Sequence, residues 1–503
     1  MKKVVLYYPI LTDLFQGIPY SLLFLERNLR ELEVEVVIID QKFDSSFEKF
    51  ILENKDDILA VGISVILSYQ IINARKAAEY VKLISHIPII FGGWFVTYNP
   101  KITLKEDFVD FVIYGQGEIT LRELIIKLLN NENDFSNITG LGYKKNSELF
   151  LNTPRPWVNT FDLPDLDFQK INLKNYLEKE NILQYIATRG CNCSCNFCML
   201  GSNKGYYHFY NSPEKVIQDL KILKSKVNSL SFIKFNDDNF FTSRKFVMRL
   251  CELMIIENLK LNWNASANIK QFLNTYNDED IQIIRKAGCN LIYFGAESGD
   301  ELVLQGINKN YKPEDIIKVL KKLKSHNIRV AYSFMIGFPM NPINDFYITL
   351  KLIMQLYQID RNLNINLSFY VPILENKYSE NVKAAGFTVP DTYKKFEEVV
   401  INGFNLFWIT PKLKKIIYNF GEFYIPVFKK EYPINTDSKL KKFWKLFFII
   451  FHIPVYFRFL IKSVNYNFDA KIALFIINLF RKKYKIQETK LNNFMIGINR
   501  IEK

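Results

Sequence analysis

Cys191-Asn192-Cys193-Ser194-Cys195-Asn196-Phe197-Cys198, entered through Ala187-Thr188-Arg189-Gly190, puts four of the chain's six cysteines within eight residues. Three of them, Cys191, Cys195 and Cys198, have the spacing C-x3-C-x2-C, with an aromatic residue just before the last. Core packing does not demand such clustering. Thiolates this close repel one another, and a bound soft metal offsets that charge. A structural zinc site would need two separated pairs, whereas the remaining cysteines, Cys251 and Cys289, are single. Buried, unreactive sulfur suits a lone cysteine better than four set beside Gly190 and two asparagines. The third reading is an iron-sulfur cluster on three thiolates, with one iron left open to a substrate molecule.

The motif resembles the signature of the radical S-adenosylmethionine (SAM) superfamily. That resemblance implies a 4Fe-4S cluster on Cys191, Cys195 and Cys198, with the amino and carboxylate groups of SAM on the fourth iron. It also implies reductive cleavage of SAM to a 5'-deoxyadenosyl radical, and places Phe197 near the adenine. Cys193 departs from the family pattern and is read as a bystander on the loop.

A chain of 503 residues with 49% apolar content is long enough for two or three domains. Its clustered cysteines do not form a disulfide framework, and an oxygen-sensitive cluster belongs in the reducing cytoplasm. Residues 1–10 hold a short apolar run broken by Pro9 and no small-residue cleavage site, so a first strand is expected there rather than a signal peptide. The net charge is +14, but residues 437–503 alone carry 14 Lys and Arg against 4 Asp and Glu. The body is therefore nearly balanced, and no nucleic-acid partner is expected.

Before the cysteine loop, apolar runs at 3–8, 34–39, 58–66, 88–91 and 108–114 alternate with amphipathic stretches at 21–33, 71–84 and 119–129. Such alternation indicates a doubly wound parallel sheet with ligands at the strand carboxyl ends. Ser64, Gly92-Gly93 and Gly115-Gln116-Gly117 fall at those ends, where glycine lets backbone approach a ligand. Set before a radical SAM barrel, they resemble the cobalamin-binding domain of cobalamin-dependent radical SAM enzymes. The D-x-H-x-x-G loop of other cobalamin enzymes is absent, since residues 13–17 read Asp-Leu-Phe-Gln-Gly. The resemblance therefore implies a cobalt without a protein imidazole. A hairpin over 138–152 and a Pro-containing linker follow.

Six further strand-like runs, at 183–188, 230–235, 261–265, 291–297, 330–337 and 364–373, are separated by helical stretches. They indicate an incomplete TIM-like barrel with its chemistry at the strand carboxyl ends. By resemblance, Asp237 faces the methionine end of SAM, Glu297 accepts hydrogen bonds from the ribose, and Ser333 with residues 335–339 passes beneath the adenine. Lys309 is read as a surface lysine. No cysteine precedes Cys191 or follows Cys289, which excludes a cysteine-bound second cluster of the kind used by tRNA methylthiotransferases and many peptide-modifying members.

Residues 443–461 and 470–480 are rich in apolar side chains, and the second run ends in Arg481-Lys482-Lys483-Tyr484-Lys485. Interrupting charges argue against a membrane span, which needs about 20 predominantly apolar residues. Two readings stay open: a helix lying in a membrane interface, and a helical cap over the active-site mouth.

The expectation is an α/β chain. A doubly wound cobalamin-binding-like domain spans 1–150, a linker 151–179, a partial (βα)6 TIM-like radical SAM core 180–374 and a helical, basic, aromatic-rich region 375–503. By resemblance it is a cobalamin-dependent methyltransferase acting on an unactivated carbon, with no catalytic side chain assigned beyond the cofactor ligands. The substrate is a small molecule or peptide, and the reductant a flavodoxin or ferredoxin. A cobalamin-containing cyclase or rearrangement enzyme is the alternative within the class. A noncatalytic basic protein, membrane-peripheral or RNA-binding, is the alternative outside it. Nothing in the sequence names the substrate, because pocket loops carry no transferable code.

Overall fold

The β-branched and aromatic runs of the first 115 residues form β1 (Lys2–Tyr8), β2 (Val34–Asp40), β3 (Ile58–Ser64), β4 (Ile89–Gly92) and β5 (Phe111–Ile113). They pair in parallel in the order β2-β1-β3-β4-β5. Successive side chains on a strand point to opposite faces. Val5, Val61 and Phe91 accordingly join one apolar cluster with the helix Gln70–Ile84, while Val4, Leu6, Ala60 and Ile90 join another with the helices Tyr20–Arg27 and Gly117–Leu129. Helices thus cover both faces, as expected of a doubly wound sheet. The hairpin expected at 138–152 is β6 (Leu141–Lys145) and β7 (Glu148–Leu151), which extends the same sheet antiparallel beyond β5.

The computed structural model describes residues 1–11, 17–178, 181–202, 207–372, 376–403, 406–429, 438–461 and 468–483. Most of the segment 13–17, where the histidine loop is missing from the sequence, lies outside the described residues. The chain packs as two units. One comprises residues 1–190, 207–236 and 389–403, the other residues 191–206, 237–388 and 404–503.

Besides the first sheet, unit one holds the parallel pair β8 (Ile182–Tyr185) and β11 (Phe232–Phe235), with the helix Pro213–Lys226 between them in sequence. Between β8 and that helix run two short strands, β9 (Thr188–Cys191) and β10 (Tyr207–Tyr210). Residues 389–403 complete this unit. Tyr393 and Phe396 enter the apolar cluster behind β3 and β4, and Tyr393 Oη donates 2.8 Å to Ile71 O.

Unit two holds β12 (Asn262–Ala267), β13 (Cys289–Glu297), β14 (Arg329–Ile336) and β15 (Asn364–Phe369), all parallel and in that order. Helices alternate with them, each opened by local chemistry. Pro313 occupies the first turn of Pro313–Ser325, where its missing N–H is not needed, and Asp315 accepts 3.2 Å from Lys312 N–H. The six expected barrel strands are therefore all present, two in unit one and four in unit two.

The tail folds as the helices Ser438–Leu460 and Phe468–Lys483. Among the described residues no helix is long and apolar enough to cross a membrane. Gln358 Nε2 donates 2.7 Å to Phe459 O, and Tyr357 and Phe428 pack on the Phe459 ring. Those contacts sit just before β15 begins, at the end of the barrel opposite the strand carboxyl ends. The carboxyl end of β14 is met instead by Trp408, whose Nε1 donates 2.9 Å to Gly337 O.

Candidate active site at the cysteine loop and the strand ends

The residues between the cysteines anchor the loop. Asn196 N–H donates 3.0 Å to Ile307 O, and its Nδ2 donates 3.2 Å to Gly306 O. Asn308 Nδ2 donates to Ser194 O and Ser194 Oγ, each at 2.8 Å, and Asn376 Nδ2 holds Phe197 O at 3.1 Å. Asn192 Oδ1 accepts from Gln271 Nε2 at 2.9 Å, and Gln271 Oε1 accepts from Asn239 Nδ2 at 2.8 Å. None of the six cysteines is in a disulfide.

The thiols differ in character. Cys191 is lowered to about 7, chiefly by the hydrogen bond of the Cys193 thiol and against the cost of burial. Cys193 is raised by that same bond and by burial, so it stays protonated beside its neighbour; Asn239 Nδ2 points at its sulfur from 3.7 Å. Burial raises Cys195, with Lys309 opposing the shift. Among the described residues no three His, Cys, Asp or Glu groups already stand in metal-binding geometry. The donor set nonetheless fits: three thiols outside any disulfide, on one loop whose anchors are not sulfur.

Glu297 closes β13 in an unusual way. It has φ +54° and follows a register shift between Gly295 and Glu297 in the ladder with β14. A non-glycine residue in that region costs on the order of 1 kcal/mol and persists where surrounding contacts impose it. Here the imposing contact is Lys309 Nζ, 3.0 Å from Glu297 Oε1. The carboxylate folds so closely over Gly295 that a Cβ there would lie 2.3 Å from Oε1. Lys309 is not the surface lysine expected from the sequence. Its side chain is 9% exposed, 5.6 Å from the Phe197 ring centroid and 5.9 Å from that of Tyr311. Burial works against its charge, but the Glu297 carboxylate outweighs burial and raises its pKa. Solvation by neighbours, invisible in a linear chain, reversed the expectation.

The structure thus brings Phe197, Glu297 and Lys309 together, with Phe338 set edge-on to Phe197 at 5.8 Å. Ser333 stands in register with Gly295 one strand over. Asp237 is buried after β11, close in sequence to Asn239, whose buried Oδ1 has no partner. An orphaned buried acceptor of this kind usually meets a ligand or water.

Sequence reasoning missed Asp345. It is fully buried in the first turn of Pro342–Ile359, where its Oδ1 accepts from Ser298 Oγ and, at 3.2 Å, from Thr349 Oγ1. Thr349 Oγ1 also accepts 2.8 Å from Gly299 N–H. These bonds fix the turn that follows Glu297. Burial raises Asp345 to about 7, with Ser298 and Thr349 opposing. In sequence it is indistinguishable from an ordinary acid near a helix N-terminus.

In unit one, Ser64 pairs with Gly92 across β3 and β4. Gly93 has φ +99°, and a Cβ there would lie 2.6 Å from Val65 O. Gly115 has φ +85° and nothing within 4 Å of where its Cβ would be; its N–H meets Thr97 Oγ1 at 3.1 Å, and Thr97 Oγ1 bonds back to Gly93 O at 2.9 Å. The two glycine turns are therefore tied together, one against backbone and one facing open space, which fits a ligand laid along the strand ends. Gly117 stands apart and packs on Leu25. The next residue, Glu118, is buried and paired with Arg189. Burial opposes its charge, but Arg189 holds it below the usual carboxylate range. That pair was also not foreseen.

Residues 185–353 match the radical SAM superfamily, and residues 10–125 match the B12 binding domain. An uncharacterized methyltransferase of Pyrococcus horikoshii is 29% identical over 342 residues, covering 67% of this chain and 72% of that protein. The anaerobic magnesium-protoporphyrin IX monomethyl ester cyclase of Synechocystis is 25% identical over 345 residues, covering 66% of this chain and 67% of the cyclase. In fold, the chain is similar to the cobalamin-dependent S-adenosylmethionine radical enzyme OxsB with aqua-cobalamin bound, with a TM-score of 0.69 at 17% identity, covering 97% of this chain and 76% of that one.

Proposed function

We propose that this chain, a radical SAM enzyme with a cobalamin-binding domain, transfers a methyl group to an unactivated carbon of a small-molecule or peptide substrate. The observation that carries the reading is the pair of linked glycine turns, Gly92-Gly93 and Gly115, on a sheet that precedes the cysteine loop in one chain. Backbone without side chains at strand ends suits the broad face of a macrocycle. The likeness to the Pyrococcus methyltransferase supports the same outcome.

Cys191, Cys195 and Cys198 would hold the cluster, and Ser64, Gly92, Gly93 and Gly115 the cobalamin. When bound, the cluster would supply the electron that cleaves SAM, and the cobalamin would carry the methyl group. Phe197, Asp237, Glu297 and Ser333 would bind SAM. Lys309 Nζ holds Glu297 Oε1 in place at 3.0 Å, and that carboxylate can accept hydrogen bonds from hydroxyl groups. A flavodoxin or ferredoxin would supply electrons in the cytoplasm.

Likeness to the cyclase supports a second outcome, oxidative cyclisation or rearrangement. SAM bearing a trideuterated methyl group separates the two. Methyl transfer places that label in the product, whereas cyclisation leaves the product unlabelled while 5'-deoxyadenosine still forms.

A further inference from the structure

The helices Ser438–Leu460 and Phe468–Lys483 reverse the usual arrangement of charge and apolar surface. Arg458 and Asp469, which interrupt the apolar runs, are turned inward and pair at 3.0 Å, with side chains only 12% and 19% exposed. Asp469 also accepts 2.7 Å from Tyr424 Oη, and His452 Nδ1 meets Val427 O at 3.2 Å. Facing out instead are Leu446, Ile450, Ile453, Phe457 and Leu460, each more than half exposed. Their spacing of three and four residues makes one stripe along the helix. The second helix presents a matching stripe of Phe468, Ile472, Phe475 and Leu479, between 41% and 72% exposed.

Nine large apolar side chains left exposed in two stripes mark an interaction site. Its chemistry selects among occupants. Residues 437–503 carry 14 Lys and Arg against 4 Asp and Glu. An exposed apolar face in so basic a region complements a surface that is apolar beneath and anionic on top. No helix among the described residues is long and apolar enough to cross a bilayer.

We propose that these two helices seat the enzyme on an anionic lipid bilayer, with both apolar stripes among the acyl chains and the net positive charge of the region drawing it to the headgroups. The inward Arg458–Asp469 pair keeps unpaired charge off the inserted face and ties the helices together where they meet. The surface is independent of the cofactor sites, so its failure would leave the proposed reaction untouched.

Vesicle flotation of the full chain, purified with its cluster, tests this. The wild type is expected to float with phosphatidylcholine vesicles containing about 30 mol % phosphatidylglycerol, and much less with phosphatidylcholine alone or at about 0.5 M salt. Ile453→Asp with Phe457→Asp, and separately Phe475→Asp, should lower binding roughly tenfold or more while cluster absorbance and SAM cleavage stay at the wild-type level. Wild-type protein that stays with the bulk solution, or variants that float as the wild type does, would overturn the proposal. So would a wild-type dimer that these substitutions split into monomers without any vesicle binding, because a second copy would then cover the stripes.

Discussion

Lys309 Nζ lies 3.0 Å from Glu297 Oε1, both side chains under 10% exposed, at the carboxyl end of β13 beside the Phe197 ring. One partner comes from the strand and the other from the segment whose preceding residues, Gly306 to Asn308, anchor the cysteine loop. The pair therefore couples the loop to the strand end.

Removing the cation alone leaves a buried carboxylate without its partner. Lys309→Met is expected to cost roughly 3–5 kcal/mol of stability and to weaken SAM binding. Adding Glu297→Gln should restore much of the stability but not the affinity. Chemical denaturation and SAM titration of both single variants and the double variant read the coupling.

Each of Cys191→Ala, Cys195→Ala and Cys198→Ala should abolish iron-sulfur absorbance and SAM cleavage, because each removes one of three protein ligands. Cys193→Ala should retain both, because Cys193 falls between the ligand positions and outside the C-x3-C-x2-C spacing. Full cluster loading in Cys195→Ala would sink the ligand assignment.

Asp345 gives a pH signature. The folded chain keeps its carboxyl protonated up to about 7, whereas an unperturbed aspartate loses the proton near 3.8. Between those values the folded state binds more protons than the unfolded state, so stability should fall as pH rises through that window. The cost is on the order of 4 kcal/mol above pH 7. Asp345→Asn keeps an oxygen for Ser298 and Thr349 and has no charge to bury. It should melt higher than the wild type at pH 8, and its melting temperature should depend less on pH between 4 and 7.

The two glycine turns separate binding from folding. Gly93→Ala would press a Cβ against Val65 backbone and should destabilise the sheet. At Gly115 the space is open, so Gly115→Trp should strain one residue, leave unit one folded and displace cobalamin from protein supplied with it. Gly115→Asn, which tolerates positive φ, should retain much more of it. Circular dichroism and the cobalamin absorbance of the purified protein distinguish the cases.

Period and punctuation carried most of the fold. Strands β1 to β5 and the six barrel strands were legible because fully buried parallel strands read as short apolar runs between amphipathic helices. The cysteine triad was legible because its spacing has no packing explanation. Lys309, Asp345 and the Glu118–Arg189 pair were not, because a buried ionisable group is recognised only by its partner, and the partners lie 12, 47 and 71 residues away in sequence. The exposed stripes of the tail were likewise hidden: the apolar residues were visible, but not that Arg458 and Asp469 would turn inward and leave them outside.

Anaerobic purification with cobalamin supplied tests the central claim most directly. Wild-type protein should retain cobalamin in about equal ratio to chain alongside its cluster, and methyl transfer from SAM should disappear when cobalamin is withheld. A protein that binds no cobalamin yet still converts SAM to 5'-deoxyadenosine would contradict the methyltransferase reading.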